Sequence, residues 1–473
     1  MVVGRIPESV DLVVVGGGPG GYRAALAAAT RGRKVTLIEE SAVGGVCLHV
    51  GCIPSKALIH AAEIAHAART SKHLGISAEP SVDMTAFQAW KSSVVGRLAG
   101  DVEVQLRRSA VRVVHGRARL TSPTTLTVTD SATDLLPGGF TRDATHLEFA
   151  HCILAPGSRP VGIRSVPFDG TRVLDSTGAL ALHRLPDRLV VIGGGYIGVE
   201  LGTAFTKLGT HVTLVESATR ILPEVDAELS DVVVRRLREL GVDVLTGTTA
   251  TGLDADDVVM SNGARVRADV IVVAVGRRPN TDDLGLESAG VAVAVGPDGR
   301  IEVDASRRVL GLPQLFAIGD VTAGPALAHK ATAEAEVAAA AACGARSAFD
   351  PRCIPAVVYG DPEVLTVGHP LAAAAALCRG NDSVITRRSS FRANGRAHTV
   401  DRVAGHVRLV AVGMAEHPGE ARIVGVHAVG AGVSELAGEA ALAIELGVSL
   451  DDLALTIHAH PTFGESIVDA ARN

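Results

Sequence analysis

An apolar run at Leu12–Val15 breaks into glycines at Gly16–Gly21 and passes into an Ala-rich stretch of helical composition. A second apolar run, Val35–Ile38, then ends at Glu39. Four consecutive apolar residues bounded by glycines suit a buried strand, and the stretch after them suits a helix, so the order reads strand, turn, helix, strand. The same pattern returns without a gap from Arg188 as RLVVIGGGYIGVELGTAFTKLGTHVTLVES. The first glycines of the two copies, Gly16 and Gly193, lie 177 residues apart, and so do the closing acids, Glu39 and Glu216. Two copies of one βαβ unit therefore organise the first half of the chain.

Each copy carries a Gly-x-Gly-x-x-Gly: Gly16, Gly18 and Gly21, then Gly193, Gly195 and Gly198. The first glycine makes the tight turn, the second lets a pyrophosphate approach the backbone, and the third lets the helix pack close to its strand. The anion then rests at a helix N-terminus, where unpaired N–H groups and the dipole favour it. Glu39 and Glu216 close the second strand of each copy, placed to accept hydrogen bonds from ribose hydroxyls. A single glycine motif is often a plain turn. Two in full context, each with its acid, predict two bound dinucleotides. A carboxylate at Glu216 repels a 2′-phosphate and so favours NAD over NADP, with Arg220 nearby as a counterweight.

The segment GGVCLHVGCIPSK puts Cys47 and Cys52 in a short loop with Gly51 between them. Pro54 suits a helix start, and Ser55 to Ala68 reads as helical. Cys52 is thereby expected at a helix N-terminus, where the dipole favours a thiolate. The chain has six cysteines, and only these two are close in sequence. Two buried thiols or half a zinc site are the plainer alternatives. A zinc site needs further ligands, and no second Cys/His cluster has suitable spacing. A redox-active pair fits the position just downstream of a dinucleotide motif.

Composition narrows the class. At 473 residues, 47% hydrophobic and 20% charged, the chain suits a multidomain α/β enzyme. A net charge of −6 without a basic block gives no reason to expect nucleic acid or membrane as partners. The apolar stretch Val364–Cys378 is interrupted by Gly368, His369 and Pro370 and is too short to span a bilayer. Leu12–Val15 runs straight into glycines, unlike a signal peptide. A cytoplasmic protein is expected, with no metal site.

With these motifs in place the sequence resembles the flavoprotein disulfide reductases, the class I pyridine nucleotide-disulfide oxidoreductases, and within them the branch that oxidises dihydrolipoamide. Beyond the segments already quoted, the resemblance rests on APGSRP at Ala155–Pro160, VGRRPN at Val275–Asn280 and AIGDV at Ala317–Val321. It continues with GPALAHKA at Gly324–Ala331 and HAHPTFGE at His458–Glu465, in family order along nearly the whole chain. It implies an α/β fold with two Rossmann-like dinucleotide-binding domains, for FAD and NAD, and a C-terminal α+β dimerisation domain. The implied boundaries are 1–158 and 277–347 for the FAD domain, 159–276 for the NAD domain and 348–473 for the interface.

The resemblance also implies roles. Cys47 and Cys52 form the redox disulfide. His460 is the base, oriented by Glu465 and serving the other subunit's cysteines. Lys56 and Glu200 pair near the flavin, and Asp320 holds its ribityl chain. The helix that begins near Ala326–Lys330 aims its N-terminus at the flavin. Gly116, Gly157, Ser158, Ala328 and Gly276 join the cofactor contacts, and Tyr196 gates the nicotinamide site. His458 is read as a structural neighbour. The implied partners are a second copy of the chain and a lipoyl-bearing acyltransferase or glycine-cleavage carrier protein. Three departures stand out: His49 where Asn is usual, Pro156 where Thr is common, and Phe463-Gly464 in place of Leu-Ser. The alternatives are a reductase of another small disulfide, of the glutathione or mycothiol type, a quinone reductase, or an inactive docking subunit. No cysteine follows Cys378, which argues against relatives with C-terminal redox residues.

Overall fold

The computed structural model describes residues 6–129, 144–290 and 295–473. The chain divides into two compact units, the first made of residues 1–55, 85–161 and 277–350, the second of 56–84, 162–276 and 351–473.

In the first unit β1 (Glu8–Val15) leads through α1 (Pro19–Thr30) to β2 (Val35–Glu39). β1 lies between β2 and the long strand Thr145–Leu154, parallel to both. Strand Arg112–His115 extends the sheet beyond β2, and Leu315–Ala317 pairs in parallel with the long strand. At β1 the chain can turn to either side of the sheet, so a crevice opens at its carboxyl end, where Gly16–Gly21 sit. β2 and the Leu12–Val15 end of β1 are buried on both faces, Leu12, Val13 and Val14 being fully inaccessible, which is why they read as continuous apolar runs. α1 packs its Ala24, Ala25 and Ala28 against Ala335, Ala338 and Ala339 of the helix Ala328–Ala342 in one core. Small side chains on both helices permit that close approach.

The cysteine segment departs from the expected loop. Gly45–His49 forms a short helix, α2, which carries Cys47. The next helix, α3 (Cys52–Thr70), begins two residues before Pro54, so Cys52 is its first residue. Gly51 matters for space: a Cβ there would lie 2.9 Å from the Val46 carbonyl oxygen and 3.3 Å from Cys47 Cα. The chain folds back against Cys47 before α3 starts.

The second unit repeats the first design. β3 (Arg188–Ile192), α4 (Tyr196–Leu208) and β4 (His211–Glu216) form a βαβ unit, with β3 between β4 and Val270–Val273 in a parallel five-stranded sheet. The C-terminal part is a separate antiparallel five-stranded sheet. It is covered by α6 (Ala437–Leu446) and α7 (Glu465–Arg472), and α5 (Gly395–Thr399), which follows the edge strand in the chain, adds Ala397 to the same core. Leu442, Leu446, Leu455 and Ile457 of this part are exposed, Ile457 at 94%.

One stretch among the described residues, 45–74, is apolar and long enough to cross a membrane by length and composition. Three of its charged side chains are paired within the second unit. Lys56 pairs with Glu200 of α4 at 2.8 Å, Glu63 pairs with Lys207 of α4, and Arg69 donates to the Lys207 carbonyl.

Candidate active site

The two glycine turns are built alike to within tenths of an ångström. Gly16 and Gly193 have φ of +95° and +114°, the left-handed region that a Cβ disfavours. Their N–H groups donate to Ile38 O and Val215 O, both at 2.8 Å. A Cβ on the third glycine would lie 1.7 Å from Gly16 O in the first copy and 1.8 Å from Gly193 O in the second. Only glycine allows the helix to begin so close to the turn. At the second glycines, Gly18 and Gly195, nothing lies within 4 Å of a Cβ, and neither helix has a side-chain N-cap. Open space over uncapped N–H groups is what a pyrophosphate needs.

The closing acids have an additional task. Glu39 Oε2 accepts from Gly17 N at 2.6 Å, and Glu216 Oε2 accepts from Gly194 N at 2.6 Å. The other oxygens take Ser41 N at 2.8 Å and Ala218 N at 2.7 Å. Each carboxylate thus braces its own turn while keeping lone pairs for a ribose. Arg220 is turned to the Pro223 carbonyl at 2.9 Å.

In the first unit a cavity of about 350 Å³ opens beside the turn, lined by Gly16, Glu39, Gly116, Pro156, Arg159 and Asn280 among others. Its position past the end of β2 suits the nucleoside half of a dinucleotide. Deeper in, Ser158 Oγ donates to Asp320 Oδ2 at 2.5 Å. Arg277 holds Ser158 from the other side, with Nε 2.8 Å from Oγ and a second bond to its carbonyl. Asp320 rides on a turn fixed by buried charges: Gly319 N donates to Glu334 Oε2 at 2.6 Å and Lys330 Nζ to Gly319 O at 2.9 Å. Glu334 also pairs with Lys330 and Arg307, so no charge in the group is left alone. Gly157 and Gly276 adopt positive φ, and Ala328 is the first residue of its helix.

Within the second unit Lys56 meets Glu200 as expected, and Glu200 is almost fully buried. The free oxygen of Glu200 accepts from Tyr359 N at 2.9 Å, and Lys56 Nζ lies 4.3 Å from the centre of the Tyr359 ring. Tyr196 opens α4 and is exposed. At the C-terminal end His460 Nδ1 donates to Glu465 Oε1 at 2.8 Å, and Thr462 N donates to Glu465 Oε2 at 2.9 Å. The Thr462 amide, followed by His460, holds the Glu465 carboxyl below the usual carboxylate range. Nε2 of His460 has no partner among the described residues, and its ring is 76% exposed. His458 makes its own pair with Glu439 at 2.6 Å.

The departures have local explanations. His49 Nε2 bonds Val43 O at 2.9 Å, and Pro156 O accepts from Asn280 Nδ2 at 3.0 Å. Phe463 stacks on Phe391, with ring centres 5.7 Å apart. Gly464 stands at the N-cap of α7 without a capping side chain. Among the described residues no group of three or more His, Cys, Asp or Glu could hold a metal ion.

Several contributors were not anticipated from sequence: Arg277, Lys330, Glu334 and Tyr359. Arg277 and Lys330 lie inside quoted motifs, which was the available signal; Tyr359 is 159 residues from Glu200 and has none.

Residues 10–335 match the pyridine nucleotide-disulphide oxidoreductase family and residues 354–471 its dimerisation domain. The chain belongs to that family, and is an oxidoreductase that uses FAD and NAD and carries the means to pair with a second copy. It is 43% identical to the dihydrolipoyl dehydrogenase of Geobacillus stearothermophilus over 479 residues, covering 100% of this chain and 97% of that protein. Dihydrolipoyl dehydrogenase 2 of Haloarcula marismortui is 42% identical, with 100% and 98% coverage. Among solved structures, LpdA of Mycobacterium tuberculosis aligns with a TM-score of 0.86 at 29% identity, over 98% of this chain and 99% of that one.

Proposed function

We propose that the protein is a dihydrolipoyl dehydrogenase of the cytoplasm. It oxidises the dihydrolipoamide of a lipoyl-bearing acyltransferase or glycine-cleavage carrier protein and passes the electrons to NAD⁺. The observation that supports this reading is an intact His460–Glu465 couple in a chain that also carries Cys47 and Cys52 and is similar end to end to enzymes of that name. The site residues are Cys47, Cys52, His460, Glu465, Lys56 and Glu200. The domain limits are 1–158 with 277–347, 159–276, and 348–473.

In this reading His460 Nε2 takes a proton from one thiol of the substrate, and Glu465 supports the imidazolium. The thiolate attacks Cys47 Sγ, the Cys47–Cys52 bond breaks, and Cys52 leaves as a thiolate at the start of α3. The second substrate thiol then displaces Cys47, so lipoamide departs as a disulfide and both cysteines are reduced. Bound FAD would supply the two-electron chemistry that links the reduced Cys47 and Cys52 pair to NAD⁺. The first Gly-x-Gly-x-x-Gly, Glu39, Gly116, Gly157, Ser158, Asp320 and Ala328 hold FAD. The second motif, Glu216 and Gly276 hold NAD. Lys56, held by Glu200, would supply a positive charge to the cofactor chemistry. His460 serves the cysteines of the second copy, so the site is complete only in the homodimer.

The test is Cys52→Ser in the purified holoenzyme. Turnover of dihydrolipoamide should vanish while bound FAD and its yellow spectrum remain. Loss of FAD in this variant would show that the pair has been misplaced. A comparison of dihydrolipoamide with reduced glutathione and mycothiol, each with NAD⁺ and NADP⁺, decides the substrate.

A further inference from the structure

We infer that Asn394 is a positioning residue for the acid–base couple: its side-chain amide ties together the two ends of the turn that holds His460 against Glu465. The inference rests on the reading of His460 as the base.

Asn394 is 3% exposed, and its amide is divided between two tasks. Oδ1 accepts from Ala397 N at 3.0 Å and so caps α5. Nδ2 donates to Thr462 O at 2.9 Å and to Ser466 Oγ at 3.1 Å. Those acceptors bracket the couple, Thr462 lying two residues after His460 and Ser466 one residue after Glu465. Thr462 is also the residue whose N–H holds Glu465 Oε2, which leaves Oε1 for the imidazole. Moving Thr462 therefore moves the carboxylate that orients the ring. The neighbouring Gly395 lies behind that ring, with a Cβ there 4.0 Å from His460 Cε1.

The surroundings make Asn394 rigid. Ser466, itself buried, is pinned by Ser389 Oγ donating to its carbonyl at 2.5 Å. Phe391, three residues before Asn394, is fully buried and stacks on Phe463 inside the same turn. A planar amide can accept at one end and donate twice at the other, which neither Asp nor Ser can do at this position. His460 is itself exposed and α7 lacks a side-chain cap, so the Asn394 amide is placed to hold the turn at Thr462 and Ser466 together.

Asn394→Ser separates the two tasks, because serine is an equally good helix cap but has no donor that reaches Thr462. In the FAD-loaded dimer, kcat for dihydrolipoamide oxidation should fall about tenfold or more, as expected when a general base is misplaced by a fraction of an ångström to an ångström. The KM for NAD⁺ and the rate of ferricyanide reduction by NADH, which needs no base, should stay at wild-type values. A wild-type kcat would mean that Asn394 is only a cap, and a parallel fall in both rates would mean that it only supports the fold. Either result overturns the inference. If Asn394→Ser yields no holoenzyme, Ser466→Ala removes one acceptor alone. It should lower the dithiol rate in preference to the ferricyanide rate, and equal rates to wild type would again overturn the inference. His460→Gln separates this failure from that of the underlying reading. If it retains turnover the base itself has been misassigned, whereas its loss beside an unaffected Asn394→Ser sinks only the role of Asn394.

Discussion

Gly198 shows how much can hang on a hydrogen atom. A methyl group there would overlap the Gly193 carbonyl at 1.8 Å, so Gly198→Ala must push α4 away from its turn. Overpacking of this kind costs about 1–3 kcal/mol and moves the N–H groups meant for the second dinucleotide. The variant should keep its FAD but reduce poorly with NADH, with KM for NAD⁺ raised at least tenfold in steady-state kinetics. The glycines of the two turns and the two acids were legible in the sequence because each belongs to a local pattern whose geometry is fixed by neighbours in the chain. Arg277 and Tyr359 were not. Arg277 reaches Ser158 across 119 positions, and Tyr359 reaches Glu200 across 159. Such contacts follow from how strands and helices pack, and no short window of sequence contains both partners. The second oxygen of each brace, given to Gly17 or Gly194, was missed for a different reason: a carboxylate near a ribose site is read for its ligand, while its lone pairs also serve the backbone.

At the level of elements, the repeat was visible as two strand–turn–helix–strand patterns in one register, and the structure has both. The short helix α2 reads as a loop in sequence because five residues that begin with a glycine and follow another leave no periodicity to detect. The antiparallel C-terminal sheet gave little local signal, yet it carries a clear chemical consequence. His406 and His427 sit on adjacent buried strands, and burial pushes both from the usual 6.5 down to about 4. Arg388 adds to the effect at His406, against Glu228. His427 donates through Nε2 to His369 O at 2.9 Å in its neutral form. The unfolded chain binds these protons more readily than the folded one, so stability is full above about pH 6.5 and falls as the pH drops toward 4. The loss should be roughly 2–3 kcal/mol for each histidine over that range. Urea denaturation at pH 7 and pH 5 measures it, and a His427→Gln variant should show a shallower pH dependence.

For the molecule as a whole, the dimerisation domain exposes Leu442, Leu446, Leu455 and Ile457, apolar surface suited to pairing with a second copy. Charging it with Leu446→Asp and Ile457→Asp together should give a monomer by light scattering. Because His460 is taken to serve the partner's cysteines, the monomer should lose dihydrolipoamide oxidation while still reducing ferricyanide with NADH. A monomer that oxidises dihydrolipoamide normally would place the base and the cysteines in one chain.

The carboxylate braces also bear on how the enzyme meets its cofactors. Glu39 and Glu216 hold the two turns in the same shape by bonds that need no ligand. If these turns receive the dinucleotides, a brace of this kind lowers the ordering entropy that capture has to overcome. The gain would be greatest for a nucleotide that must come and go with every turnover, its exchange then being governed by the contacts it makes rather than by a loop that has to fold around it.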